Sequence, residues 1–412
     1  MFAKAKRIYY NCEKYAPMAL LFLSVAVRLS FLSVFGIKLG GDSGEYIQWS
    51  CAFAKGDLSP LRQYPFHQIY SIVLAPMHWL PMSMTFYVSI LHVILSSVTV
   101  LLIYLIAKRL VSKNYGFLIG AFAIFYPSFL FWLPYVLTET FFLFVMSFQI
   151  FILFVVLNEI NVKNVCFFLI SCILIFFTRP TGLPIIIVSI FMIMIKILKE
   201  KFGCFKSYVI ASSLVMFFIV GSVGILYRNN SIRNKLIGIP TVSQSLWLSV
   251  NLVTNDMKET KNVWRKDKEI VKKYNSEGYS PKEIRQKKSL DALNFINKHP
   301  IDYLKRVFKR FFAFWFPWIF ASTWSKSHII VDFIISITLT LGTLFMLFDE
   351  KMWKLETFAL VFMALGLSVL TAFSQIDTDG RYRLPAELLL LIIAPYGWIY
   401  LIDYVIKVYK RR

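Results

Sequence analysis

Apolar runs close to twenty residues long are the feature of this sequence that most restricts its fold. An α-helix needs about 20 apolar residues to cross a bilayer, and hydrophobic residues make up 58% of the 412-residue chain. Charged residues make up 17%, below the roughly 25% of soluble domains. These features predict an all-α polytopic membrane protein with about ten transmembrane helices, at residues 16–37, 84–107, 116–134, 139–157, 165–178, 183–198, 207–227, 327–348, 355–373 and 385–406.

The basic residues between these runs predict the orientation of the chain. With a cytoplasmic N-terminus, the short inner loops hold eighteen Lys and Arg residues, whereas the short outer loops hold only six. The positive-inside rule then predicts a multi-pass protein of the inner (plasma) membrane with both termini in the cytoplasm. This topology explains the net charge of +22. Because the basic residues are spread along the chain without a nucleic-acid-binding module, we expect no nucleic-acid partner.

Two longer loops lie on the outer side in this topology. The first, 38–83, contains "EYIQWSCAFA" and "QIYSIVLAPMHWL", which predict two short helices along the membrane surface, broken by prolines. In the second, Ser280, Pro281 and Glu283 predict a capping box, and "PIDYLKRVFKRFFAFW" predicts an interfacial helix. The predicted domains are an N-terminal membrane half with the first outer loop (1–227), a small helical outer domain (228–310), and the last membrane helices with a polar loop at 374–387 (311–412).

Acidic residues occupy two of the predicted outer boundaries. Asp42 and Glu45 lie in "GGDSGEY", directly after the first run, where the glycine pair permits a tight exit from the helix. Glu139 begins the fourth run, where the helix macrodipole alone would favour a carboxylate. One of these carboxylates, in the first instance Asp42, is a candidate general base or metal ligand. The alternative is that Asp42 or Ser43 only caps a helix.

Arginines occupy the two other outer boundaries. Arg179, in "FTRPTGLP", lies between two short runs, so its turn is expected below the outer surface, where it either snorkels outward or binds a lipid phosphate. Arg381 and Arg383 flank Tyr382 just before the last helix, which makes a favourable phosphate site. The alternative is a charged anchor, paired with Asp377, Asp379 or Glu387.

Five stretches resemble, in order, the integral-membrane glycosyltransferases of the GT-C fold, which take sugars from polyprenyl-phosphate donors. They are "GGDSGEYIQWSCAFAKGD", "QYPFHQIYSIVLAPM", "LPYVLTETFFLF", "FFTRPTGLPI" and "DTDGRYRLPAELLLLIIAPYG". The sequence looks most like bacterial relatives of the protein mannosyltransferases and of the aminoarabinose transferase of lipid A. The resemblance covers the membrane helices and the first outer loop but not 228–310, and it implies a GT-C type bundle.

The resemblance also implies roles for the matched residues. Asp42 would be the catalytic base. Glu139 would be a second acidic residue, and it or Glu45 would bind the acceptor or a metal ion. Because "DSGE" stands where several members have adjacent acids, a divalent cation (Mg²⁺ or Mn²⁺) on Asp42 and Glu139 stays an open question. The donor phosphate would be bound by Arg381, with Arg383 or Arg179. The pocket candidates are Tyr46, His67 and Tyr382, with interfacial packing as the alternative for Tyr46 and His67.

The function implied is an inverting transfer of a sugar from a polyprenyl-phosphate donor, such as undecaprenyl phosphate-linked sugar, in the synthesis of cell-envelope polysaccharide or a related product. The acceptor would be a glycan, a lipid or a protein on the periplasmic face, and membrane lipids are the other partners. One alternative is a lipid-linked-sugar flippase or other transporter, which commonly binds substrate near the midplane and shows repeat symmetry. Another is an O-antigen polymerase or ligase, which would explain Arg381 better than it explains Asp42 together with Glu139.

Overall fold

The computed structural model describes residues 2–63, 68–202, 240–251, 257–316, 326–374 and 380–411. Within these ranges the chain is helical and contains no β-strand. The only strand-like feature there is an isolated parallel bridge between Lys38 and Tyr135. The prediction of an all-α chain is therefore confirmed.

The described α-helices are α1 Phe2–Phe35, α2 Ser43–Ala54, α3 Ser59–Gln63, α4 Gln68–Leu74, α5 Met84–Leu110, α6 Lys113–Ile124, α7 Pro127–Trp132, α8 Thr138–Asn158, α9 Val162–Thr178, α10 Leu183–Phe202, α11 Pro240–Asn251, α12 Met257–Ser276, α13 Pro281–Lys298, α14 Pro300–Trp315, α15 Lys326–Met346, α16 Leu355–Ser374 and α17 Leu384–Arg411. Short 3₁₀ helices cover Ala75–Trp79, Pro180–Gly182 and Glu350–Met352. N-cap residues determine where several of these helices begin. The side chains of Ser83, Ser112 and Asn161 each accept a hydrogen bond from the backbone N–H three residues later.

Among the described residues, seven helices are long and apolar enough to cross a membrane. They are Tyr15–Phe35, Met84–Leu110, Thr138–Asn158, Pro180–Lys199, Ile329–Met346, Leu355–Ser374 and Leu384–Lys410. Helices of this length and composition are consistent with an α-helical polytopic membrane protein.

The three other predicted spans account for the difference between ten and seven. The run 207–227 lies outside the described residues. The run 116–134 is divided into α6 and α7, because Pro127 occupies the start of α7 and has no N–H to continue α6. The run 165–178 falls within α9, an apolar helix of 17 residues that is slightly shorter than the others.

Helices also form in the first long loop, as the sequence predicts. The stretch "EYIQWSCAFA" lies in α2, and "QIYSIVL" forms α4 and continues into the 3₁₀ helix Ala75–Trp79. The change of helix type coincides with Pro76, which cannot donate the next α-helical hydrogen bond. In α2, Tyr46 and Ser50 are buried, so one face of this helix packs against the protein.

The chain divides into two compact units, the first formed by 1–189, 339–362 and 387–412, and the second by 190–338 and 363–386. In the first unit, α5 packs against α1, α6 and α8, and α8 packs against α9. Gly116 allows the close approach of α6 to α5, because a Cβ there would lie 2.8 Å from the carbonyl oxygen of Tyr104. Small residues at helix crossings serve this purpose in membrane bundles.

The second unit contains helices α11 to α14. The predicted capping box is present at the start of α13: the Ser280 side chain accepts from the Glu283 N–H, and the Glu283 carboxylate accepts from the Ser280 N–H at 2.8 Å. The core of this unit joins several helices through a cluster of buried residues, which are Val250, Ala292, Tyr303, Val307 and Ala372. The described part of the predicted outer domain is therefore helical.

Arg28 is a fully buried charge near the middle of the first span. Its Nε donates to the Ser96 hydroxyl at 2.6 Å, and its Nη1 donates to the carbonyls of Ser24 at 3.4 Å and Ile124 at 3.5 Å. These neutral acceptors lie on α1, α5 and α6, so the guanidinium links three helices. The contacts favour a structural role for Arg28 over a place in a substrate pocket.

A double-mutant cycle tests this role of Arg28. With Arg28 present, Ser96→Ala should lower the free energy of unfolding by about 1.5–3 kcal/mol, because a hydrogen bond to a charged group is lost. With Arg28→Met, the same Ser96→Ala change should cost almost nothing. Denaturant unfolding in detergent micelles measures both values. Ser97→Ala is the matched control, since the buried Ser97 hydroxyl has no hydrogen-bond partner among the described residues, and equal losses for the two serines would contradict the role.

Candidate functional site

A parallel backbone bridge joins the first loop to the segment before α8. The Lys38 N–H donates to the carbonyl of Pro134 at 2.8 Å. The Lys38 carbonyl accepts a hydrogen bond from the N–H of Val136 at 3.2 Å. The bridged pair is Lys38 and Tyr135, and the two segments run in the same direction. Asp42 and Glu139 each follow the bridged pair by four residues. The bridge therefore joins the backbone segments that lead to two motifs far apart in the sequence.

Asp42 and Glu45 lie at the start of α2, and both are exposed. Asp42 occupies the N-cap position, but its side chain makes no capping hydrogen bond. Instead, the Ser43 hydroxyl donates to the Gly40 carbonyl at 2.7 Å. Partial burial raises the pKa of Glu45, and the nearby Asp42 carboxylate raises it further. The negative charge of Asp42 thus disfavours ionisation of Glu45.

A chain of buried aromatic and imidazole groups lies beside these acids. The rings of Tyr46 and Tyr70 meet edge to face at 5.5 Å, and the Tyr70 hydroxyl lies 2.9 Å from Nε2 of His92. Nδ1 of His92 lies 2.9 Å from the Leu133 carbonyl, to which it donates. In a neutral imidazole, Nε2 must then accept the Tyr70 proton. The predicted pocket residue Tyr46 is thus buried, and the other pocket candidate in this region, His67, lies outside the described residues.

Glu139 and Arg179 form a buried ion pair. Nη1 of Arg179 lies 3.0 Å from Oε1 of Glu139, and their side chains are only 5% and 1% exposed. The Arg179 guanidinium also lies over the Phe142 ring, at 5.7 Å from its centroid. Burial raises the pKa of Tyr70, and electrostatic interactions with Tyr46 and with the Glu139 carboxylate raise it further. Glu139 is therefore electrostatically close to the Tyr70 phenol.

The "TRPTG" sequence produces the turn that carries Arg179. Arg179 ends α9 in an extended conformation, and Pro180 begins the short 3₁₀ helix that follows. Gly182 fits here because a Cβ would lie 2.6 Å from Cγ2 of Ile175 and 3.3 Å from the Phe142 ring. The motif thus brings Arg179 back against α8, where Glu139 begins the helix.

The "RYR" motif belongs to the second unit and lies in a turn before α17, which begins at Leu384, one residue before the predicted run. Arg381 and Tyr382 are half-buried, whereas Arg383 is buried. Nη1 of Arg383 lies 3.2 Å from both Asp332 Oδ2 and Ser336 Oγ, and Nη2 contacts Asp332 Oδ1. Both carboxylate oxygens of Asp332 therefore bind the Arg383 guanidinium.

Of the three acids expected near the "RYR" motif, the structure describes only Glu387. Asp377 and Asp379 lie outside the described residues. In the first unit, Glu387 is buried and accepts a hydrogen bond from the Tyr126 hydroxyl at 3.0 Å. The observed carboxylate partner of Arg383, Asp332, lies within an apolar run. No local sequence signal points to it.

Glu139 does not fit the role of a metal ligand in this arrangement, because its carboxylate neutralises the buried Arg179. In the part of the chain that the structure describes, no group of three or more His, Cys, Asp or Glu residues is placed to hold a metal ion.

The sequence matches no protein-family model and no curated protein. The resemblance to GT-C glycosyltransferases therefore rests on the motifs themselves. Three of the four charged boundary motifs lie in the first unit: a backbone bridge joins the segments that lead to Asp42 and Glu139, and an ion pair joins Glu139 to Arg179. The sequence did not identify Tyr70 and His92, which lie next to Tyr46, or Asp332, which binds Arg383.

Proposed function

We propose that this chain is a membrane glycosyltransferase that transfers a sugar from a polyprenyl-phosphate donor to a glycan, lipid or protein of the cell envelope. The observation that carries the proposal is the meeting of three separate motifs in the first unit. The Lys38–Tyr135 bridge joins the backbone segments that lead to Asp42 and to α8, and a buried ion pair joins Glu139 to Arg179. A lipid-linked donor has its reactive phosphate at the membrane boundary, so acids and arginines at helix ends suit this substrate.

In the proposed reaction, the Asp42 carboxylate takes the proton from an acceptor hydroxyl. The acceptor oxygen attacks the anomeric carbon in line, the bond from that carbon to the phosphate oxygen breaks, and polyprenyl phosphate leaves with the bonding electrons. The configuration of the anomeric carbon is inverted. The exposure of Asp42 leaves its carboxylate accessible to an acceptor.

The other charged residues have supporting roles in this proposal. The resemblance assigns Arg381 to the donor phosphate, and the contact of Arg383 with Asp332 fixes the turn that contains both arginines. The ion pair of Glu139 and Arg179 sets the start of α8 and the electrostatic field near the Tyr70 phenol. We further propose a GT-C type bundle of about ten spans in the inner membrane, with cytoplasmic termini and the reaction on the periplasmic face.

An Arg381→Ala variant tests the donor-binding part of the proposal. The KM for a radiolabelled polyprenyl-phosphate sugar should rise about tenfold to a hundredfold, because one charge-assisted hydrogen bond to phosphate is worth about 1.5–3 kcal/mol. Membrane vesicles that contain the full chain, supplied with acceptor from a deletion strain, provide the assay. Arg265→Ala is the control, since Arg265 is 71% exposed. An unchanged KM in a correctly inserted Arg381→Ala protein would remove Arg381 from the site.

A further inference from the structure

Helix α14 has an exposed apolar stripe that no other described element covers. Its members, spaced at three, four and four residues, are Ile301, Leu304, Phe308 and Phe312, and they are 68%, 46%, 63% and 53% exposed. This spacing places them on one face of the helix. The opposite face is buried in the second unit through Tyr303, Val307 and Phe314.

A contact with α16 places α14 at the end of a membrane-spanning helix. The Tyr303 hydroxyl donates to the carbonyl of Phe373 at 2.9 Å, and the two rings lie 6.3 Å apart. Phe373 is the last residue but one of α16, a candidate span. Because the end of a span lies near the membrane boundary, this contact places the first turns of α14 near the boundary expected for α16.

A cavity of about 360 Å³ lies along one flank of the stripe, between the end of α13 and the start of α14. It is lined by Phe295, His299, Asp302, Lys305, Arg306 and Lys309. Three of these side chains are permanently basic and one is a carboxylate, so the cavity has a net positive charge. It therefore suits an anion.

Two contacts hold the wall of this cavity in shape. Arg306 donates to the carbonyl of Val250 and lies over the Phe295 ring, 4.9 Å from its centroid. Asp302 pairs with Lys305 at 3.5 Å on the exposed surface. Lys309 lies one turn beyond Lys305 and carries a second exposed ammonium group on the same flank of the helix.

We propose that α14 binds an anionic lipid, with the lipid phosphate in the basic cavity and a hydrocarbon chain along the apolar stripe. The two features are adjacent on one helix, and an amphiphile with a charged head and an apolar tail matches both. Free phosphate would occupy the cavity but leave four large apolar side chains in contact with water. This site shares no residue with the proposed transfer site, and it does not depend on that reaction.

Photocrosslinking tests the lipid site without reference to activity. The full chain is placed in nanodiscs of phosphatidylcholine that contain a small fraction of phosphatidic acid with a diazirine in its acyl chain. After illumination, mass spectrometry of peptides should find the label on α14. Because each lysine near an anionic lipid strengthens its binding by roughly fivefold, Lys305→Gln/Lys309→Gln should reduce this labelling by about thirtyfold.

Two further variants separate the lipid site from general effects. Lys268→Gln/Lys272→Gln removes two exposed lysines of α12 in the same unit, and it should leave the labelling within about twofold. Phe308→Ser/Phe312→Ser should reduce the labelling because the stripe loses its apolar contact. Equal labelling of the Lys305/Lys309 variant and the wild-type protein would overturn the proposal. So would displacement of the lipid by inorganic phosphate at the concentration at which unlabelled phosphatidic acid displaces it.

Discussion

Replacing Glu139 with Gln should lower the free energy of unfolding by about 3–5 kcal/mol, because it removes the carboxylate from a buried ion pair and leaves the charge of Arg179 behind. Both side chains are almost fully buried, and the Nη1 to Oε1 distance is 3.0 Å. A charge without its counterion is costly in such a place, since little water can replace the lost partner. Denaturant unfolding in detergent micelles gives the difference directly.

Two comparisons show whether burial is the cause of this loss. Glu269→Gln breaks the ion pair of Glu269 with Arg265, which is 3.9 Å long and highly exposed, so the cost should be at most about 1 kcal/mol. The double variant Glu139→Leu/Arg179→Met removes both charges, and it should recover most of the stability lost in Glu139→Gln. Equal small losses for Glu139→Gln and Glu269→Gln would show that the buried pair contributes no more than a surface pair.

Replacing Asp42 with Asn should reduce kcat for sugar transfer by about a hundredfold to ten-thousandfold, which is the usual contribution of a general base. The fold should be kept, because Asp42 is exposed and its side chain makes no capping hydrogen bond that the substitution would remove. The KM for the donor should change little, since Asp42 acts on the proton of the acceptor. Initial rates with labelled donor in vesicles measure both quantities.

Asp57→Asn is the matched control for Asp42→Asn. Asp57 is an exposed acid of the same loop, where its Oδ1 accepts from the Ser59 N–H at 2.8 Å, and an Asn can keep this contact. The rate should stay within about twofold of the wild type, because substitutions at the surface away from a site have small effects. Transfer at the wild-type rate by an inserted Asp42→Asn protein would mean that another group is the base.

Local signals in the sequence were enough to predict much of the fold. Helices follow from apolar runs, and the capping box at Ser280 and Glu283 formed as its spacing predicted. One predicted span was wrong in detail, because Pro127 divides the run 116–134 into two short helices. A hydrophobicity count averages over such a residue, whereas the backbone responds to its missing N–H and its fixed φ.

The partners of the charged residues could not be predicted in the same way. Arg383 pairs with Asp332, fifty-one residues earlier in the chain, and no spacing rule links the two. Tyr70 and His92 lie in apolar stretches without a local motif that marks them. Only tertiary packing joins them to Tyr46. Motifs therefore predict which residues are polar at a boundary, but the fold decides which of them meet.

The most direct test of the proposed function follows the fate of the donor bond. Purified full-length protein in proteoliposomes is given a polyprenyl-phosphate sugar labelled with ¹³C at the anomeric carbon, with and without acceptor. We predict acceptor-dependent release of polyprenyl phosphate, and an NMR signal for a glycosidic linkage of inverted anomeric configuration. A donor that stays intact while its sugar moves from one face of the bilayer to the other would contradict the account and would identify a transporter.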